Sequence, residues 1–240
     1  MPSTATLITG ASKGIGRAVA DRMAARGRTV VGLARTDPKD GFPGEFVAVD
    51  LADPEAARRA LADIVARHEV TEVVNNVGLV RPQRLDQVDL ADFAAVLDLN
   101  LRPAVQCAQA ALPAMRRAGR GRIVNISSLT VLGVPGRTAY GGAKAALVGF
   151  TRTWALELAR EGITVNAIAP GPVATELFRT NNPPGSEGER AYLSMVPMGR
   201  FGGPDEVAAA VGFLLSDEAG WITGQTLFVD GGASIGRVPL

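Results

Sequence analysis

The chain has little with which to do imidazole or thiol chemistry: it contains a single histidine, His68, and a single cysteine, Cys107. One cysteine makes neither an intrachain disulfide nor a cysteine-rich zinc site, which fits a reducing compartment. One histidine leaves no His-rich metal site and disfavours a Ser–His–Asp device. Neither residue is expected to have a chemical role, and no metal is expected. An excess of charge of one sign is also missing. The 25 basic and 24 acidic side chains give a net +1, so there is no basic field for a polyanion and no nucleic-acid partner is expected. Apolar stretches are broken by glycine, proline or charge well before the ~20 residues of a membrane span. The opening residues MPSTATLITG lack a basic segment leading into a long apolar one, so no secretory leader is expected. These exclusions point to a soluble, cytoplasmic, globular protein with no membrane partner.

What is present is a large apolar fraction, 47% of the 240 residues, enough for a core without staples. Residues 4–9, 29–34, 45–49, 70–75, 122–126, 164–169 and 226–229 read as strands. Most are apolar without strict alternation, as parallel strands buried on both faces are. Helical patterns fall between them. Residues 15–26 end at Gly27, a natural left-handed terminator. Residues 54–67 follow Asp53 as N-cap with Pro54 in the first turn. Residues 90–115 contain Pro103 and Pro113 and so predict two helices or one kinked helix. Residues 140–160 and 205–215 complete the set. This alternation predicts one doubly wound α/β domain over residues 1–240. Residues 176–204, rich in Pro, Gly, Asn and Ser, read as a long irregular lid.

The first strand runs through Thr9-Gly10-Ala11-Ser12-Lys13-Gly14-Ile15-Gly16 into a helix. Glycines at such a junction permit a tight turn and close approach of a pyrophosphate to the helix N-terminus. The spacing is T-G-x-x-x-G-x-G rather than G-x-G-x-x-G, and a turn chosen only for packing is the competing reading. The second strand ends in Arg35. An acidic residue there would bind a ribose 2′-hydroxyl, whereas a guanidinium suits a 2′-phosphate. With Lys13 opposite, this favours NADP(H) over NAD(H); Asp37 two positions on keeps NAD(H) as the alternative. Asp50, at the end of the third strand, is a candidate for the adenine amino group.

Tyr140 and Lys144 share one face of a helix, one turn apart. A phenol has a pKa near 10; a neighbouring ammonium favours the phenolate, at about 1.4 kcal/mol per unit. Ser127 and Ser128 end the fifth strand, where open α/β sheets place their ligands, and a hydroxyl there can donate to a carbonyl oxygen.

Together, Thr9–Gly16, Asn75-Asn76-Val77-Gly78, Asn100, Ser127-Ser128, Tyr140-x-x-x-Lys144, Pro170-Gly171-Pro172-Val173-x-Thr175 and Val229-Asp230-Gly231-Gly232 resemble the short-chain dehydrogenase/reductase family over nearly the whole chain. The resemblance implies a single-domain Rossmann-type fold with a doubly wound seven-stranded parallel sheet, assembled as a homotetramer or dimer. It implies Tyr140 as catalytic acid/base. Lys144 lowers its pKa and holds the nicotinamide ribose, Ser128 orients the substrate oxygen, and Asn100 supports a proton-relaying water. The cofactor would lie on Gly10, Ser12, Lys13, Gly14, Ile15, Gly16, Arg35, Asp50, Leu51, Asn76, Gly78, Tyr140, Lys144, Pro170, Gly171, Val173 and Thr175. Lys13 with Arg35 resembles the carbonyl and xylulose reductase branch, which uses NADPH. Val77 replaces the family's usual alanine. Counted along the strand, the family's serine falls on Ser128; counted back from Tyr140, on Ser127. Strand register absorbs deletions less readily than loops do, which selects Ser128 and leaves the loop 129–139 one residue short.

The expected reaction is hydride transfer from NADPH to a ketone, a 3-oxoacyl or other carbonyl compound, with Tyr140 protonating the oxygen to give a secondary alcohol. The alternatives are an NAD-dependent alcohol or diol dehydrogenase of a degradative pathway and a non-catalytic dinucleotide-binding redox sensor. Leu177, Phe178, Tyr192, Leu193, Met195, Val196, Pro197 and Met198 give the lid apolar surface for a hydrophobic substrate. Arg137, Arg179 and Arg200 are candidate contacts for an acidic carrier or phosphate, with solvated surface charge the favoured reading.

Overall fold

Burial on both faces is what the strand sequences demand, and the computed structural model, which describes residues 4–38 and 40–236 without the side chains of Leu177 and Asn181, supplies it. Seven strands, β1 (Thr4–Thr9), β2 (Thr29–Ala34), β3 (Glu45–Ala48), β4 (Glu69–Asn75), β5 (Gly121–Ile126), β6 (Ile163–Pro170) and β7 (Thr226–Val229), form one sheet. Their order is β3-β2-β1-β4-β5-β6-β7, every pair parallel. Successive strand residues point to opposite faces. Leu7, Val73 and Ile123 therefore pack with α2 (Pro54–Arg67), α3 (Leu90–Ala118) and α4 (Thr138–Leu158). Their neighbours Ile8, Val74 and Val124 pack with α1 (Gly14–Ala25) and α7 (Pro204–Leu214). The strand order reverses between β1 and β4, which opens a crevice at the carboxyl ends of these strands, the place such sheets bind ligands. No helix among the described residues is long and apolar enough to cross a membrane.

One expectation is decided and one corrected. Of the two alternatives for the proline-containing segment, the structure has the single helix, α3, 29 residues over 90–118 and running through both Pro103 and Pro113. An internal proline costs about 3 kcal/mol, but Val96, Asn100, Pro103, Ala104, Cys107, Ala111 and Met115 form a continuous buried stripe, and burying it outweighs that local cost. The lid is not wholly irregular: it holds α5 (Glu176–Asn181) and α6 (Glu187–Leu193). Thr175 and Ser186 cap them, their hydroxyls accepting from Phe178 N and Glu189 N at 3.2 and 3.1 Å. Acidic side chains fill both first turns.

Candidate active site

The glycine turn is built by steric necessity. Gly10 and Gly14 lie at φ +66° and +59°, where a side chain is strained. A Cβ on Gly16 would fall 2.3 Å from the Gly10 carbonyl oxygen. Asn76, at the end of β4, donates through Nδ2 to the carbonyls of Thr9 (2.9 Å) and Gly10 (3.2 Å). In return, Thr9 Oγ1 accepts from Asn76 N and Val77 N. The two strands at the crevice are thus laced together, and Asn76 holds the shape of the turn. No side chain caps α1 at Lys13, so its first-turn N–H groups stay available to an anion. Ser12 and Ile15 are half-buried beside them.

Lys13 and Arg35 are both exposed, and neither forms an ion pair among the described residues. Arg17, in the first turn of α1, is committed instead to Asp21 and Asp40. Asp50 is exposed and its carboxylate accepts from Ala52 N at 2.9 Å. Leu51 buries its side chain in the core, and its carbonyl accepts from Arg102.

Tyr140 and Lys144 project from the first turns of α4. Lys144 is buried, its Nζ donating to the Ile126 carbonyl at the end of β5, 2.9 Å away. Burial lowers its pKa to about 8. The ammonium lies over the Tyr140 ring, 5.5 Å from its centre. Burial raises the Tyr140 pKa above the ordinary phenol value; hydrogen bonding from Ser128 and the positive charge of Arg137 pull it back. The expected lowering by Lys144 is therefore not what prevails. The ammonium sits over the ring and is tied to a carbonyl, and desolvation of the phenol outweighs its opponents.

The two serines separate cleanly. Ser127 is buried and donates to the Lys144 carbonyl at 2.8 Å. Ser128 is the one that acts on Tyr140, and its Oγ also accepts from Thr130 N at 3.2 Å. Asn100, buried on α3, donates through Nδ2 to the carbonyls of Val96 and Leu79, leaving its Oδ1 without a partner. A Cβ on Gly78 would fall 2.9 Å from that oxygen and 3.4 Å from Lys144 Nζ, so the absence of a side chain at Gly78 keeps the space between them open.

The stretch after β6 lies across the crevice. Gly171 N donates to Val229 O, and Val173, buried, bridges Gly202 at the far end of the lid. Thr175 comes close to Gly14: a Cβ there would be 3.4 Å from the threonine methyl. Pro170 is buried as the last residue of β6. The lid closes on itself through Phe178, whose ring lies 5.3 Å from Tyr192 and 5.0 Å from Phe201.

Two contributors were not singled out in the sequence, Asn125 and Thr151. Asn125 accepts from Asn75 Nδ2 and donates to Thr151 Oγ1, at 2.8 and 2.9 Å, a buried chain that fixes α4 against the strands. The signal was an asparagine inside an otherwise apolar strand, which must find partners when buried. Burial pushes the Cys107 thiol up to about 12, which makes it a poor nucleophile. His68 Nε2 lies 2.7 Å from a Glu45 carboxylate oxygen, at the amino end of β4, opposite the carboxyl end that carries Asn76.

A phosphate-ready turn at the first crossover, beside a tyrosine–lysine–serine group, is the architecture of a nicotinamide-dependent oxidoreductase. The family model described as enoyl-(acyl carrier protein) reductase matches residues 10–234. The 3-oxoacyl-(acyl-carrier-protein) reductase FabG of Escherichia coli is 39% identical over 236 residues, 94% of this chain and 95% of that one. A solved structure from Beutenbergia cavernae, described as a candidate NAD(P)-dependent gluconate 5-dehydrogenase with NADP bound at low occupancy, has a TM-score of 0.88 at 36% identity over 97% of both chains. Thermoplasma acidophilum aldohexose dehydrogenase has a TM-score of 0.90 at 32% identity, over 100% of this chain and 96% of that one. The chain belongs to the short-chain dehydrogenase/reductase family, enzymes that act on the CH–OH/C=O pair.

Proposed function

We propose that the enzyme reduces a ketone to a secondary alcohol with NADPH, Tyr140 being the proton donor. The observation that carries this reading is the phenol itself. It lies beside the buried Lys144, whose Nζ is 5.5 Å from the ring centre, and like any phenol near or above its ordinary pKa it carries its proton at neutral pH, the state a donor needs before transfer. The residues also suit the cofactor. Gly16 packs too close to the Gly10 carbonyl to carry a side chain, the N-terminus of α1 has no side-chain cap, and Lys13 and Arg35 are two cations with no carboxylate partner among the described residues. A 2′-phosphate supplies the charge that pair lacks; the bound NADP of the Beutenbergia relative is consistent with this.

When bound, NADPH supplies the hydride that the ketone carbon accepts. Ser128 donates to the ketone oxygen and aligns it; Tyr140 gives that oxygen its proton. Lys144, anchored at Ile126, stabilises the phenolate left behind, and the free Oδ1 of Asn100 orders the route by which the proton is replaced. The lid covers the site, and its apolar side chains exclude water. Assembly into a homotetramer is part of the proposal: Leu156 on α4, and Trp221 with Leu227 at the β7 edge, are large apolar side chains left exposed.

The test is a panel of 3-oxoacyl thioesters, quinones, keto sugars and aromatic ketones, monitored by nicotinamide absorbance with NADPH and with NADH. At least one class should oxidise NADPH, faster than NADH. Tyr140→Phe should lower kcat by roughly 10²–10⁴-fold with NADPH affinity unchanged. Turnover with NAD and an alcohol only would move the assignment to the oxidative reading, which the sugar dehydrogenase relative favours. Binding of NADPH without turnover of any carbonyl would refute it.

A further inference from the structure

Three arginines on or beside the lid differ in one respect, the availability of their charge. Arg179 pairs with Glu189 and lies over the Phe201 ring, 5.2 Å from its centre. Arg200 makes a two-pronged pair with Glu206, both contacts at 2.7 Å. Arg137 has no carboxylate partner among the described residues. Its Nη2 donates to Tyr192 Oη of the lid, 3.1 Å away. A guanidinium has five N–H donors, so most of its capacity remains free, and Tyr192, as acceptor in that contact, keeps its own O–H to donate.

Position gives this free charge its meaning. Arg137 is the N-cap residue of α4 and lies three positions before Tyr140. It is half-buried between the start of α4 and the lid helix α6. On its other side Arg137 lines a separate cavity of about 550 Å³ with Arg84, Thr130, Val131, Pro135 and Thr138 among others, whose wall holds no acidic side chain and neither Ser128 nor Tyr140. The charge is already felt at the reacting hydroxyl, where it opposes the effect of burial.

We propose that Arg137, with Tyr192, selects the substrate by binding a carboxylate carried within a few bonds of the reacting carbonyl, so that the substrates are keto acids and the products hydroxy acids. The inference rests on the ketone reductase reading above. A planar guanidinium meets a carboxylate through two parallel N–H contacts, and the Tyr192 hydroxyl can add a third. These contacts leave the reacting centre to Ser128 and Tyr140.

The test is steady-state kinetics with NADPH on 2-, 3-, 4- and 5-keto carboxylates, each beside its methyl ester. It compares wild type with Arg137→Gln and Arg137→Lys, each checked for unchanged NADPH binding. Wild type should prefer one acid over its ester by more than tenfold in kcat/KM. Arg137→Gln should lose roughly 10- to 100-fold more on the acid than on the ester, and Arg137→Lys should recover part of that difference. Equal losses on acid and ester would make Arg137 only a support for Tyr192 and overturn the inference. An ester turned over as well as its acid by wild type would overturn it too, with the reductase reading intact. No NADPH oxidation by any ketone, here or in the wider panel, would sink that reading itself.

Discussion

Replacing Lys144 by methionine tests the electrostatics of the site through stability, with no substrate needed. The side chain is buried, with 2% of its surface exposed, and its pKa falls from 10.5 to about 8. Below pH 8 the folded protein holds a charge in a poorly solvating place, a cost the unfolded chain does not share. Between pH 8 and 10.5 the folded form has released its proton and the unfolded form has not. The unfolded state binds more protons, and stability rises with pH. The gap between the two values sets a ceiling of about 3 kcal/mol at neutral pH, of which roughly 2 kcal/mol should return between pH 8 and 10. Lys144→Met keeps the chain length and removes the titration. Urea unfolding of both proteins at pH 7, 8, 9 and 10 gives the difference directly. Tyr140, whose raised pKa has the opposite sign and removes stability above pH 10, is common to both and largely cancels. Wild type should gain roughly 2 kcal/mol relative to the variant from pH 8 to 10. A difference flat in pH would show that Lys144 is not held in a desolvated site and would break the argument for its role.

The two serines should part in kind. Ser128→Ala should lower kcat at least tenfold with little change in Tm, whereas Ser127→Ala, which removes a buried hydrogen bond to Lys144, should cost about 1 kcal/mol and a few degrees of Tm while keeping most activity; the reverse pattern would exchange their roles. Arg35→Asp should raise the Kd for NADPH at least tenfold and alter that for NADH less than threefold, by isothermal titration; equal losses would show that Arg35 does not read a 2′-phosphate.

Most of the sheet was legible in the sequence, with every strand end within one residue of its expected place. The reason is physical: a parallel strand covered by helices on both faces must be apolar nearly throughout, and that requirement is local. What local sequence leaves undecided is competition with distant burial. Pro103 and Pro113 leave two helices or one open, and the buried stripe that decides for one exists only once β4 and α4 are in place. The lid shows an error. Thr175 and Ser186 are ordinary caps with acidic residues behind them, yet the surrounding prolines and glycines dominate the composition and hide two short helices.

The site was legible as a set of residues and less so as a field. Helical spacing puts Tyr140 and Lys144 on one face, and from that alone the ammonium should make the phenol more acidic. Spacing does not reveal that Lys144 would be tied to the Ile126 carbonyl and set over the ring, nor that the phenol would lose enough water for burial to prevail. The sign of the shift therefore reverses. The groups that oppose burial, Ser128 and Arg137, are the two proposed above to meet the substrate oxygen and a substrate carboxylate. Binding a carboxylate at Arg137 would cancel part of its field at the phenol and so remove part of that opposition to burial.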